Sequence, residues 1–213
     1  MYKLDSFRYG GPPRGVMNDV LKIIAQRRSV RRFTAEQLRR EDVEAIVEAG
    51  LCAPSANNAQ DCHCTVVQDS GMIARIEGWV LEEIGRSGNT ALQELVRRDG
   101  GSIFRKAPTL IVVSTDTRSR NGIVDAAAAT QNMLIAAESL GIASCWIGMV
   151  SVLSGTTVVA DHARELHLPE GYSPHFGITL GYGESSSPPA PARRKDRVSF
   201  FGAGPDTIRR TIP

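Results

Sequence analysis

Apolar positions along this chain repeat with two different periods. Met17, Val20, Leu21 and Ile24 fall at i, i+3, i+4 and i+7, the stripe of a helix that runs into Arg27-Arg28, where a basic last turn suits the helix dipole. A second helix is predicted from Glu41 to Cys52. Its apolar face is Val43, Ile46, Val47 and Leu51, it starts on acidic Glu41 and Asp42, and Pro54 lies just beyond its end. The β-branched run His63 to Gln68 is short enough for a strand, and Ile73, Ile76, Val80 and Ile84 form the next helical stripe, closing near Gly85. Leu92, Leu95 and Val96 predict one more short helix before Gly100-Gly101.

The run Thr109 to Ser114 after Pro108 is apolar on both faces, which predicts a central strand covered from both sides. From Asp125 to Leu140 a helix rich in alanine follows, with Gly141 as its stop. Small residues on nearly every face imply close packing all round, in the middle of a domain or at a subunit interface. Ala143 to Val150 reads as a short extended piece, Thr157 to Leu166 as a helix, and Phe176 to Leu180 as the last core strand. Gly183 to Pro191 is polar and proline-rich and should be extended. Arg193-Arg194-Lys195 and a strand-like Arg197 to Phe201 follow it. At the other end, Gly10-Gly11-Pro12-Pro13 and Gly15 read as an arm.

Composition narrows the class. The 213 residues are 42% hydrophobic and 23% charged, an ordinary globular balance whose longest apolar runs are far too short to span a bilayer. Lys3, Asp5 and Arg8 are followed by no apolar stretch, so no secretory leader is expected and the cytoplasm is the expected compartment. A net charge of +2 is too small to imply a polyanionic partner, which argues against nucleic acid. The four cysteines read as free thiols. Cys62-His63-Cys64 lacks the second ligand pair of a zinc site, and no metal is expected. No glycine fingerprint of a Rossmann dinucleotide site or a P-loop occurs.

Four segments carry chemistry. Arg27-Arg28-Ser29-Val30-Arg31-Arg32-Phe33 offers guanidinium forks and a hydroxyl, the donors that hold phosphate. Ala53 to Gln60 is a turn dense in short polar side chains whose amides match the mixed donor–acceptor edge of a flavin or purine. Gly141 to Gly148 (GIASCWIG) places glycine where backbone can approach a flat ligand. Arg193-Arg194-Lys195 is a late basic cluster. Singly, these segments also suit a solvated face, a plain turn, a buried strand with a core tryptophan and a charged patch.

In order and spacing the four resemble the nitroreductase-like FMN proteins. The shared pattern is an R-R-S-x-R-x-F opening, an A-P-S-x-x-N-x-Q turn, a Q-N-x-x-x-A-A helix leading into G-x-x-S-C-W-I-G, and a basic residue ahead of a final strand. Here these are Arg27 to Phe33, Ala53 to Gln60, Gln131-Asn132 with Ala136-Ala137, Gly141 to Gly148, and Arg193 before Val198. The resemblance covers about residues 17 to 201. It implies an α+β fold with a central, mainly antiparallel sheet flanked by helices, in an intertwined homodimer with one FMN in each of two interface clefts. The corresponding organisation is an N-terminal arm over 1–15, a single FMN-binding domain over 16–201 and a tail over 202–213.

By the same resemblance Arg27, Arg28, Ser29 and Arg31 hold phosphate and the pyrimidine edge, and Arg193, with Arg194, completes the phosphate site. Pro54, Ser55, Ala56, Asn58 and Gln60 come from the second subunit, and the backbone at Ile147-Gly148 faces the reactive edge of the flavin. The implied activity is electron transfer from NADH or NADPH to a small organic acceptor, a nitroaromatic, a quinone or a similar compound, by a ping-pong mechanism. The flavin carries the chemistry. Solvent can deliver the proton, so neither His63 nor Asp61 is needed as an acid. Where many members have Pro-Trp after the glutamine this chain has Asp61-Cys62, and where many have Gly-Gly it has Gly148-Met149, which leaves the acceptor open. The competing readings are a flavin-dependent enone or dehalogenating reductase, a double-bond-forming oxidase, an FMN protein that stores or senses flavin without turnover, and a nucleic-acid surface formed by the arginine clusters.

Overall fold

The computed structural model describes residues 18–98, 100–184, 190–194 and 197. The expected arm over 1–15, the strand-like tail and the C-terminal segment 202–213 lie outside these residues, apart from Arg197. The chain divides into Arg27–Ser187 and a second unit made of both ends, Met1–Gln26 with Pro188–Pro213. In the second unit, α1 (Asp19–Gln26) is capped by Asn18, whose Oδ1 accepts from the Leu21 N–H at 3.0 Å. The helix ends at Gln26. Arg27 and Arg28 therefore follow it and do not fill its last turn, contrary to the expectation from their charge.

The body Arg27–Ser187 is built on four strands, β1 (Cys62–Val67), β2 (Thr109–Asp116), β3 (Ala143–Ile147) and β4 (Tyr172–Gly181). They lie in the order β1-β2-β4-β3, and every pairing is antiparallel. The run at Thr109 is central, as its two-faced apolar pattern predicts. Its alternate residues serve two cores: Leu110 and Val112 pack with α3 (Ser70–Arg86), while Ile111 and Val113 pack with α2 (Arg40–Leu51) and α5 (Gly122–Ser139). α4 (Thr90–Arg98) and α6 (Thr157–His162) complete the helices. α3 carries its stripe Ile73, Ile76, Val80 and Ile84 buried, and its first turn is closed by Asp69, which accepts from the Met72 N–H at 2.7 Å.

The alanine-rich helix packs closely, as its composition predicts. A Cβ on Gly50 of α2 would come within 2.7 Å of Met133 of α5, and Asn132 donates to the Ala49 carbonyl at 3.0 Å. Two elements differ from expectation. The extended piece predicted over Ala143 to Val150 stops at Ile147, and Gly148–Leu153 forms a 3₁₀ turn that buries Val150 and Leu153. The helix predicted through Leu166 stops at His162; the Leu166 carbonyl instead accepts from Thr65 Oγ1 at 2.7 Å, tying that loop to β1. β4 is also longer than expected, extending back through a bulge at His175, next to Pro174, where the ladder tolerates a residue without an N–H.

Candidate functional site

The arginine-rich opening is positioned by backbone pairing. Ser29 bridges to Ser144 at the start of β3, the Val30 N–H donates to the Ser144 carbonyl at 2.9 Å, and the Thr34 N–H donates to the Tyr182 carbonyl at 2.8 Å. These pairings require extended backbone, which is the physical reason the helical period does not continue through Arg28. Phe33 is buried and anchors the segment where a Cβ on Gly181 would stand 3.1 Å from its ring. Arg28 Nη1 donates to the Arg27 carbonyl at 2.6 Å.

Beside this segment lies a cleft of 330 Å³, at the low end of small-molecule sites, lined by Arg31, Arg98, Arg105 and the run Cys145 to Met149, with Leu95 and Ile103. Among the described residues, no Asp or Glu lines it. Burial pushes the Cys145 thiol up, against the pull of Arg31, Arg105, Arg27 and a hydrogen bond with Ser29, so those arginines share one electrostatic neighbourhood. Trp146 stands edge-on to Phe176, with ring centroids 4.9 Å apart. Gly148 opens onto space: a Cβ there would meet no atom within 4 Å. Arginines, apolar side chains and the bare backbone of Gly148 thus line one cleft, a donor set suited to a flat, anionic ligand.

The polar turn lies at a different cavity. Pro54, Ser55 and Gln60 line a 130 Å³ pocket together with Leu51, Cys62 and Asp125. The turn is tightly built. The Ala56 N–H donates to the buried Asp125 carboxylate, the Gln60 N–H donates to Ser55 Oγ at 3.0 Å, and the Asn58 N–H donates to the Ser55 carbonyl at 3.0 Å. Asn57, Asn58 and Gln60 all hold left-handed backbone, at φ of 54°, 55° and 50°. Such conformations are uncommon outside glycine and tend to concentrate at functional sites. One chain therefore assembles Arg31, Ile147 and Gly148 at one cleft, with Arg27 and Ser29 close by through Cys145, and Pro54, Ser55 and Gln60 at another. Arg193 and Arg194 lie in the irregular stretch 190–194, outside the body that carries both cavities.

The two cavities include residues that sequence reasoning did not single out. Arg98 and Arg105 were legible only as basic residues near a helix end and before a strand, and Asp125 as an ordinary first-turn acid of α5. Cys62 and Cys64 sit on β1, where burial, aided at Cys62 by Asp61, pushes the thiols up to about 12 and about 11. Both stay protonated at neutral pH.

The chain is similar to known proteins. The chain is 30% identical over 205 residues to a putative NADH dehydrogenase/NAD(P)H nitroreductase of Archaeoglobus fulgidus, covering 91% of this chain and 98% of that one. It is 26% identical over 212 residues to an FMN reductase (NADPH) of Bacillus subtilis, covering 92% and 80%. Among solved structures, a nitroreductase with bound FMN from Desulfitobacterium hafniense superposes with a TM-score of 0.80 at 31% identity, over 88% of this chain and 100% of that chain. Another, from Bacteroides fragilis, gives 0.74 at 30% identity over 91% and 100%. The model of the Nitroreductase family matches residues 24–182, and the chain belongs to that family.

Proposed function

We propose that this protein is an FMN-dependent oxidoreductase that takes electrons from NADH or NADPH and passes them to a small organic acceptor such as a nitroaromatic or a quinone. The observation that carries the reading is the Arg31–Gly148 cleft, whose cations and open glycine backbone fit a phosphorylated planar ring. FMN, when bound, supplies hydride acceptance from the donor and its return to the acceptor. Arg27, Arg28 and Ser29 would hold the phosphate, with Arg193 and Arg194 completing that set. Arg31 would lie at the pyrimidine edge, where a cation stabilises the charge that arrives with the electrons. The backbone at Ile147-Gly148 would leave the reactive edge open to solvent, so that donor and acceptor occupy one position in turn, the ping-pong order, and no side chain is required to deliver a proton.

The same reading makes the active form a homodimer. Pro54, Ser55, Ala56, Asn58 and Gln60 line or build a cavity separate from the arginine cleft, and a second copy of the chain would bring the two together. Exposed apolar side chains support this: Leu51 at the end of α2 is 60% exposed, and Ile123 and Val124 at the start of α5 are 52% and 64% exposed. The test is spectroscopic. Purified protein should be yellow, release FMN on denaturation, and bleach anaerobically with NADH or NADPH, then recover its colour with a nitroaromatic or quinone. Colourless protein that takes up no added FMN overturns the reading; yellow protein that neither donor bleaches makes it a flavin-storing protein instead.

A further inference from the structure

We infer that the cavity between α3 and the loop over residues 102–106 is a second ligand site, that it takes a linear aliphatic diamine, and that its occupant acts on the Arg31–Gly148 cleft through that loop. The action on FMN rests on the functional reading above. The cavity measures 520 Å³, well within the range of small-molecule sites. Asp69, Ile73, Ala74 and Glu77 line it from α3 and its cap, and Phe104, Lys106, Ala107 and Pro108 line it from the loop and the approach to β2.

The ligand class follows from spacing. Asp69, Ile73 and Glu77 fall four residues apart on one face of α3, so two carboxylates flank an apolar stretch, with about 12 Å of helix axis between their Cα atoms. A carboxylate can accept several hydrogen bonds. Asp69 uses Oδ1 to accept from the Met72 N–H at 2.7 Å, and Glu77 uses Oε1 to accept from the Phe104 N–H and Ser102 Oγ, both at 2.9 Å. The second oxygen of each acid can therefore take an ammonium without releasing the bond that holds the protein. A chain with an ammonium at each end sets its charges on the two acids and its methylenes along Ile73 and Ala74. Part of the lining is fixed before any ligand enters. Gln37 Nε2 donates to the Pro108 carbonyl at 2.9 Å, while Gln37 Oε1 accepts from Gln68 Nε2 at 3.0 Å and from Thr109 Oγ1 at 2.7 Å.

The loop is a wall that two cavities share. Ile103 and Arg105 line the Arg31–Gly148 cleft, and Phe104 and Lys106, alternating with them, line the second cavity. Arg105 and Lys106 hold left-handed backbone at φ of 59° and 54°, unusual for two consecutive residues with long side chains. Ser102 Oγ, which donates to Glu77, also accepts from the Arg105 N–H at 3.0 Å. Glu77 thus reaches the cleft wall through one oxygen and offers the other to the ligand. An occupant that steadies this carboxylate steadies the loop, and a wall already ordered lowers the cost of ordering for whatever binds on its far side. Glu77 is then a positioning residue for the cleft and a binding residue for the second cavity.

The experiment is calorimetry with 1,8-diaminooctane, octylamine and 8-aminooctanoate, chains of one length that differ in their end charges, on protein with and without FMN. The diamine should bind wild type about tenfold tighter than either of the others, the worth of one further charge-assisted hydrogen bond. D69N keeps the capping oxygen and E77Q keeps the oxygen that holds the loop, so both variants should fold; in each, the diamine should fall to within about twofold of octylamine. Saturating diamine should tighten FMN about fivefold, and FMN should tighten the diamine by the same factor, a reciprocity that E77Q should remove. Equal binding of diamine and octylamine overturns the ligand assignment, as does tighter binding of 8-aminooctanoate, which would mean that Lys106 reads a carboxylate. Diamine binding that leaves FMN affinity unchanged overturns the action on the cleft. Wild-type protein that takes up no FMN would instead overturn the functional reading, and the diamine titration would still decide the second site.

Discussion

Ala56 and Asp125 are 69 positions apart, yet the backbone N–H of the first donates to both carboxylate oxygens of the second, at 3.2 and 3.1 Å. The contact fastens the strained polar turn to the first turn of α5, and Asp125 is only 6% exposed. An acid placed there also complements the helix N-terminus. The amide-bearing turn is thereby seated on the alanine-rich helix.

Removing that seat should be costly. Asp125→Ala leaves the part-buried Ala56 N–H without its partner, and losing such a bond to a charged acceptor costs about 1–3 kcal/mol. Asp125→Asn keeps one acceptor oxygen and should lose less. Thermal melts check the order, with Asp125→Ala melting lowest. FMN titration of both variants should show weakened binding if the turn serves the second subunit's cleft; unaltered FMN affinity in Asp125→Ala would separate the turn from cofactor binding.

Arg27→Ala should weaken FMN binding by ~1.5–3 kcal/mol, one to two decades in Kd, while stability changes by no more than ~0.5 kcal/mol. Arg28→Ala and Arg31→Ala should loosen FMN too, and Arg31→Ala should in addition shift the flavin's reduction potential. Arg39→Ala is the control. Arg39 is tied to Asp42 through two bonds of 2.9 and 2.8 Å in an exposed pair of the kind that contributes little, so neither property should change. Fluorescence titration of apo-protein beside melts decides the matter, and wild-type affinity in Arg27→Ala would refute the phosphate assignment.

Two glycines differ in the space around them. A Cβ on Gly148 meets nothing within 4 Å, whereas one on Gly177 meets Val150 at 2.9 Å. Gly148→Ala should leave the melting temperature nearly unaltered and weaken FMN about tenfold or more, because the methyl enters the space the proposed function gives to the flavin. Gly177→Ala should destabilise by about 1–3 kcal/mol, the usual cost of overpacking. A Gly148→Ala variant with full FMN affinity would show that the flavin does not pass over this backbone.

Thiol labelling follows from burial. A thiol near 12 or 11 is ionised at pH 8 to only about one part in ten thousand or one in a thousand, and the thiolate is the reacting species. Brief iodoacetamide treatment of native protein at pH 8 should therefore modify exposed Cys52 and spare Cys62 and Cys64, while denatured protein should label at all four cysteines. Peptide mass spectrometry reads the result. Rapid native labelling at Cys62 would mean that β1 opens locally, or that the acidic surroundings of this thiol differ from those described.

The elements legible in the sequence are those whose signal is local. The stripe Ile73 to Ile84, the two-faced run at Thr109 and the small-residue helix before Gly141 each contain their own periodicity, and all three fold as read. The elements misjudged at their ends are those whose backbone groups bond to distant partners. Ser29 and Val30 leave the helical period because Ser144 takes them as a bridge, and Leu166 leaves it because Thr65 claims its carbonyl.

The same division runs through the candidate site. Residue type and order along the chain were enough to pick out four segments whose side chains suit phosphate and amide chemistry, and to identify the family, because guanidinium, amide and glycine act by what they are. Which of these segments meet was decided only by tertiary structure. Arg31 reaches Gly148 because its segment is stitched to β3, the polar turn faces a different cavity because Asp125 holds it, and Arg98 and Arg105 enter the cleft from α4 and from a loop clamped by Glu77. Each of these placements depends on a hydrogen bond or a buried side chain far away in sequence, and long-range pairing of that kind leaves no period in the chain for a reader to find.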